Sequence, residues 1–222
     1  MKRSDLFALT KLLESAFLPV VYFEAFEDKR GYNIGKQFPL DLYKRGIQRQ
    51  LEDHWRSAPS VYTLDDHNYN FSARTAGCEW AALLRARDPN AVILRVYAKD
   101  RYAGAPHILC QLLSSLIRNF ATLAPAEFDR QPELCKQNFE LLVQGGTRGI
   151  HTGLKILEAL PTFKLGDRKI LIVVDGLNLA DVDSTTDEVR QLKAVLERIA
   201  TRNRGHLLYT IAKQSTSYGV RM

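Results

Sequence analysis

The sequence predicts an α/β domain, a three-layer parallel sheet with helices on both faces, preceded by a mostly helical N-terminal section. Three observations lead there. Strand-like runs at Ala91–Ala98, Ile170–Val174 and His206–Ala212 alternate with amphipathic helical stretches from residue 59 onwards. The runs are apolar at successive positions, as strands buried on both faces must be. Each is separated from the next by enough chain for a crossover helix, which parallel pairing needs.

Taken in order, Ser4 stands where it can cap a first helix, with Leu6, Leu9, Leu12, Leu13, Ala16 and Phe17 along one side, and Pro19 ends it. Val20–Phe26 reads as a short strand and Asp28–Gln37 as a loop. A second helix is predicted over Leu40–Trp55, with Leu40, Tyr43, Ile47, Leu51 and Trp55 on one face. Pro59 closes this part, so residues 1–58 form the helical section and 59–222 the α/β domain. Tyr69–Ser72 is read as the next strand and Ala73–Cys78 as a loop before a helix that begins near Trp80. Both tryptophans, Trp55 and Trp80, are expected in the core.

Pro106 opens a helix with Ile108, Leu109, Leu112, Leu113, Leu116, Ile117 and Phe120 on one side. Pro125–Pro132 reads as loop, Phe139–Val143 as helix, and the glycine cluster Gly145–Gly149 as an exposed surface loop before a helix over Leu154–Leu160. Thr185 and Glu188 have capping-box spacing, introducing a helix whose apolar side is Val189, Leu192, Leu196 and Ile199. Gly205 ends it.

With 222 residues, 45% of them apolar and 25% charged, the composition supports one substantial core. No apolar run approaches the roughly 18 residues of a membrane span. Asp5 and Glu14 sit badly in a signal or transit peptide. An intracellular protein, cytoplasmic or nuclear and without a membrane partner, is the expectation. Cys78, Cys110 and Cys135 form no Cys-x-x-Cys pair, which argues against a disulfide framework and against zinc.

The net charge of +6 permits contact with nucleic acid. The basic residues come in small groups: Lys29-Arg30, Lys44-Arg45 with Arg49, Arg85 with Arg87, and Arg198 with Arg202 and Arg204. They form no basic arm, and solvated helix faces account for most of them.

The most specific chemistry lies in Lys169–Asp183, K-I-L-I-V-V-D-G-L-N-L-A-D-V-D. An apolar strand there runs directly into Asp175. Ligands of parallel sheets bind outside the carboxyl ends of the strands, so this carboxylate stands in the right place for chemistry.

An apolar run followed by Asp-Gly-Leu and a polar residue resembles the Walker B motif of P-loop ATPases. It is most similar to the STAND and NACHT class, where the strand continues as D-G-L-D-E. The resemblance covers about residues 60 to 215 and implies an ASCE-type P-loop topology, with Asp175 at the metal-binding position. It also implies a phosphate loop upstream, where the chain reads F-S-A-R-T-A-G-C-E-W. Against G-x-x-x-x-G-K-S/T, Ser72 and Gly77 take the glycine positions, Cys78 replaces the lysine and Glu79 the hydroxyl residue.

Arg74, Thr75 and Gly77 in that loop, with Asn178 after Asp175, are therefore the positions the resemblance assigns to a nucleotide. Their chemistry is impaired. A lysine there meets the β- and γ-phosphates and the hydroxyl beside it binds magnesium; cysteine offers no cation. Glu79 brings a carboxylate to the helix end that favours anions, where it competes with phosphate. Asn178 stands in place of an acid and cannot accept a proton from water. By the same family pattern, Lys213–Met222 is too short to supply a further strand and helical lid, so both are expected to be missing.

These substitutions point to a pseudo-ATPase that acts through protein partners, in signalling or defence, with no ATP hydrolysis. No cofactor is expected, and ATP with magnesium would bind weakly if at all. Two alternatives stand beside it. V-D-G-L-N also resembles the opening strand of NYN/PIN-type ribonucleases, in which Asp175 with Asp181, Asp183 and Asp187 would hold the metal. The other alternative is an active but divergent ATPase.

Overall fold

The computed structural model describes residues 1–16, 46–65, 73–98 and 103–211, leaving out the side chains of residues 15, 16, 73–76, 78 and 79. Strands β1 (Val61–Leu64), β2 (Val92–Tyr97), β3 (Ile170–Asp175) and β4 (His206–Thr210) form one sheet in the order β1-β4-β3-β2. Every pairing is parallel. The helices among the described residues are α1 (Arg3–Ala16), α2 (Ile47–Arg56), α3 (Ala73–Arg87), α4 (Ala105–Leu123), α5 (Lys136–Gln144), α6 (Gly146–Glu158) and α7 (Thr186–Arg202).

The apolar runs serve both faces by alternation. Ile170, Ile172 and Val174 of β3 point into the larger core with α1, α4, α5, α6 and α7, where Phe120 and Phe163 pack at 5.3 Å between ring centroids. Leu171 and Val173 point the other way, into a smaller core with Ile47, Leu51, Trp55, Trp80 and Leu84 of α2 and α3. Every residue of β3 and β4 is buried, as the unbroken apolar runs require. β1 lies at the edge of the sheet among the described residues, and only Leu64 of it is buried. Both tryptophans are in the core, as expected.

The helical section contributes to both faces. Leu6 and Leu13 of α1 are fully buried in the larger core. The Met1 ammonium donates to Phe128 O at 2.6 Å, Arg3 reaches Ala124 O, and Glu14 pairs with Arg118 at 2.9 Å. α2 covers the opposite face through Ile47, Leu51 and Trp55.

Several local expectations need correction. α3 starts at Ala73, so the loop predicted over Ala73–Cys78 is helical. β1 occupies Val61–Leu64, where the sequence predicts no strand. The strands predicted at Val20–Phe26 and Tyr69–Ser72 lie outside the described residues, as do the loop at Asp28–Gln37, the start of the helix predicted from Leu40, and everything beyond Ile211.

The glycine cluster is not a surface loop either. Gly145, at φ 76°, breaks the chain for one residue and α6 begins at Gly146. Gly149 and Gly153 then sit where α6 crosses its neighbours. A Cβ on Gly149 would lie 2.9 Å from Leu141 O, and one on Gly153 would lie 2.9 Å from a methyl of Leu142 and 3.0 Å from one of Leu113. The glycines are there for close packing.

The capping box is also not formed. The Thr185 hydroxyl donates back to Ala180 O, and Glu188 lies 3.2 Å from His151 Nε2. α7 ends at Arg202, three residues short of Gly205, whose N–H donates to Ala200 O at 2.8 Å, with Arg204 in the left-handed region at φ 52°. Among the described residues, no helix is long and apolar enough to cross a membrane.

Candidate functional site at the strand ends

The register of the sheet aligns Tyr97, Asp175, Thr210 and Leu64 across the carboxyl ends of β2, β3, β4 and β1. Residues in register on parallel strands share a face, so this row lies on the α3 side of the sheet. Asp175 and Thr210 are 3% and 2% exposed, and Thr210 Oγ1 donates to Asp175 Oδ1 at 2.7 Å. The backbone reinforces the pair. Ala98 N–H donates to Asp175 O at 3.2 Å and Gly176 N–H to Thr210 O at 3.1 Å. Gly176 takes φ 77°, turning the chain off the strand end into a short 3-10 turn, Leu177–Ala180.

Gly77 meets this row from above. A Cβ built on it would stand 2.7 Å from Thr210 Cγ2, 3.6 Å from a methyl of Leu208 and 3.9 Å from one of Val173. Thr210 therefore presents its methyl to the α3 backbone and its hydroxyl to Asp175. The structure thus brings two of the predicted residues, Gly77 and Asp175, together, with Thr210 between them.

The other predicted positions are placed less tightly. Asn178 lies in the 3-10 turn just past the strand, where its carbonyl accepts from Asp181 N–H at 3.2 Å. Arg74 and Thr75 fall in the first turn of α3, with side chains outside the described set. Gly77 is in the second turn of that helix, not in a loop that precedes it.

The carboxylates of the alternative reading do not gather around Asp175. Asp181 accepts from Thr186 Oγ1 at 3.2 Å and lies 3.6 Å from Lys193, while Asp187 pairs with Arg190 at 2.7 Å. Asp181, Asp183 and Asp187 are all exposed, whereas Asp175 is buried. The described residues contain no group of three or more His, Cys, Asp or Glu that could hold a metal ion. Among the described residues Asp175 is the one buried carboxylate, an acceptor only when ionised, with Oδ1 engaged by the Thr210 hydroxyl.

The basic groups are divided between the two faces of the sheet. Arg49, Arg85 and Arg87 lie on α2 and α3, with Arg87 paired to Glu52 at 2.7 Å. Arg198 and Arg202 lie on α7, where Arg198 pairs with Glu158 and Arg202 donates to Leu160 O at 3.4 Å. Lys29-Arg30 and Lys44-Arg45 are outside the described residues.

Thr210 and Tyr97 were not singled out in the sequence. The available signal was small: Thr210 is a polar residue near the end of the apolar run H-L-L-Y-T-I-A. Comparison with protein-family models, with curated proteins and with solved structures returns no match for this chain.

Proposed function

We propose that this chain is a P-loop NTPase-like protein, related to the STAND and NACHT class, whose nucleotide site has decayed and which acts through protein contacts without hydrolysing ATP. The strand order supports the topological part of this reading. β4, the strand after the Asp175 strand, is inserted between β3 and β1, and an additional strand at that place is what an ASCE-type sheet carries. Asp175 then occupies the Walker B position, and α3 follows β1 as the phosphate-loop helix would.

The observation that carries the pseudo-ATPase part is the packing of Gly77 inside α3, against Thr210. A phosphate loop holds its ligand with backbone N–H groups that face outward ahead of a helix. From Ala73 onward the segment aligned with that loop is already helix, and past its first turn, from Gly77 on, the N–H groups are spent on carbonyls one turn earlier. Cys78 and Glu79 remove the cation and the hydroxyl from the same segment.

Calorimetric titration with magnesium-ATP, and with manganese alone, tests the reading when paired with a turnover assay. The expected result is no ATP turnover and at most weak nucleotide heat, equal in wild type and Asp175→Ala. Turnover that disappears in Asp175→Ala would sink the proposal. Manganese-dependent RNA cleavage that needs Asp175 would select the ribonuclease instead.

A further inference from the structure

At the end of the sheet opposite Asp175, side chains from separate elements meet over the start of β4. Ser60 Oγ, just before β1, lies 3.0 Å from His54 Nδ1 of α2 and 3.5 Å from His206 Nδ1 of β4. The two imidazoles are 5.0 Å apart between centroids, edge to face, and 7% and 1% exposed. Trp55 packs its ring 5.1 Å from that of His206, and Tyr62 of β1 lies 5.6 Å from His54. Ser57 Oγ continues the chain of hydroxyls at 3.0 Å from Ser60 Oγ.

A neutral pair fits this arrangement. Ser60 has one hydroxyl proton, so it donates to one Nδ1 and accepts from the other, with the rings in opposite tautomers. A proton added to the accepting ring places an imidazolium in a buried site. A second added proton sets two cations side by side.

The charged surroundings oppose both steps. Lys169, immediately before β3, donates its Nζ to Trp55 O at 3.4 Å and sits 5.5 Å over the Trp55 ring. On α2 the neighbouring Asp53 and Arg56 are exposed. β1 offers the Tyr62 phenol, which donates to Gln50 Oε1 at 2.8 Å. β4 brings no charged group besides His206 itself.

We propose that this contact is an acid-sensitive latch. Near neutral pH it holds α2 and β1 on the sheet, and on acidification it releases them while the larger core stays folded. The sheet geometry selects these elements. β1 joins the sheet through β4, and α2 is held by side chains in the smaller of the two cores. Elements of that kind open at lower free energy than the molecule as a whole.

The protonation chemistry has the required sign. Burial, then the charges of His54 and Lys169, push His206 down to about 4 from its ordinary 6.5. Burial also lowers His54, against a hydrogen bond to the Leu207 backbone carbonyl that raises it. Both groups bind protons more readily when released. Docking is therefore complete above pH 6.5 and is lost as the pH falls towards 4. His206 alone weakens docking about thirtyfold between pH 8 and pH 5.

Hydrogen exchange at pH 8 and pH 5, expressed as protection factors corrected for intrinsic rates, tests the latch. Protection over residues 47–64 is expected to fall by at least about tenfold at pH 5, while residues 105–123 and 186–202 keep theirs. The His54→Asn/His206→Asn variant is expected to lose that difference. Imidazole resonances of the wild-type protein give an independent reading, with both midpoints expected below 6.5. The latch is wrong if wild-type protection does not change, if it falls equally everywhere, or if the folded double variant keeps the drop. It is equally wrong if both imidazoles titrate at their ordinary value, a result that needs no variant to fold.

Discussion

Thr210 Oγ1 donates to Asp175 Oδ1 across 2.7 Å, joining the carboxyl ends of β4 and β3 through two buried side chains. The carboxylate at the strand end, which a metal or nucleotide would need, is thus tied to its neighbouring strand.

Thr210→Val keeps the shape and removes the donor, leaving Asp175 short of one hydrogen bond in a buried place. A loss of about 1–3 kcal/mol is expected, read as a lower urea midpoint at unchanged slope. Thr210→Ser restores the hydroxyl and should recover most of it. Equal stability of Thr210→Val and wild type would show that the bond contributes nothing.

Gly77→Ala should destabilise the protein although alanine is the better helix former by about 1 kcal/mol. The new methyl would lie 2.7 Å from Thr210 Cγ2, on a branched side chain already fixed by its hydroxyl. Overpacking of this kind costs about 1–3 kcal/mol. Combining it with Thr210→Ser, which deletes the clashing methyl, should be less harmful than the sum of the two changes.

Gly149→Ala is expected to cost at least as much as Gly77→Ala. Its methyl would lie 2.9 Å from a backbone oxygen, Leu141 O, which cannot swing aside as a side chain can. The melting temperatures of the two variants, measured side by side, check the order.

Cys110 is buried at 1% exposure, and burial pushes its thiol up to about 11. In a Cys78→Ser/Cys135→Ser background it should resist a thiol reagent at pH 8 and react only in denaturant, since the thiolate is the nucleophile. Rapid labelling of the folded protein would contradict this placement.

The central strands were legible because burial on both faces leaves an unbroken apolar signature, as in Ile170–Val174. β1 was not: Val61–Leu64, at the sheet edge among the described residues, has one buried residue and is too short and too polar to stand out. The start of α3 is hidden in the sequence because Gly77 has the look of a loop glycine. Its reason for being glycine lies in Thr210, which no local pattern connects to it. The same holds for Gly149 and Gly153, where a cluster that resembles a turn proved to be a helix crossing.

Of the candidate site, Asp175 was readable from its own strand, whereas its hydroxyl partner lies 35 residues further on. The two histidines gave no signal at all. Each is unremarkable in its own segment, and Ser60 and His206 are 146 residues apart.

That separation also bears on how the protein is made. β4 lies between β1 and β3, yet it follows both in the chain. On the ribosome β1 emerges early and then waits for its pairing with β4 until the strand carrying Thr210 has been synthesised. Long-range parallel pairing of this kind closes slowly. Chaperone dependence and losses to aggregation should therefore concentrate in nascent chains that stop short of β4.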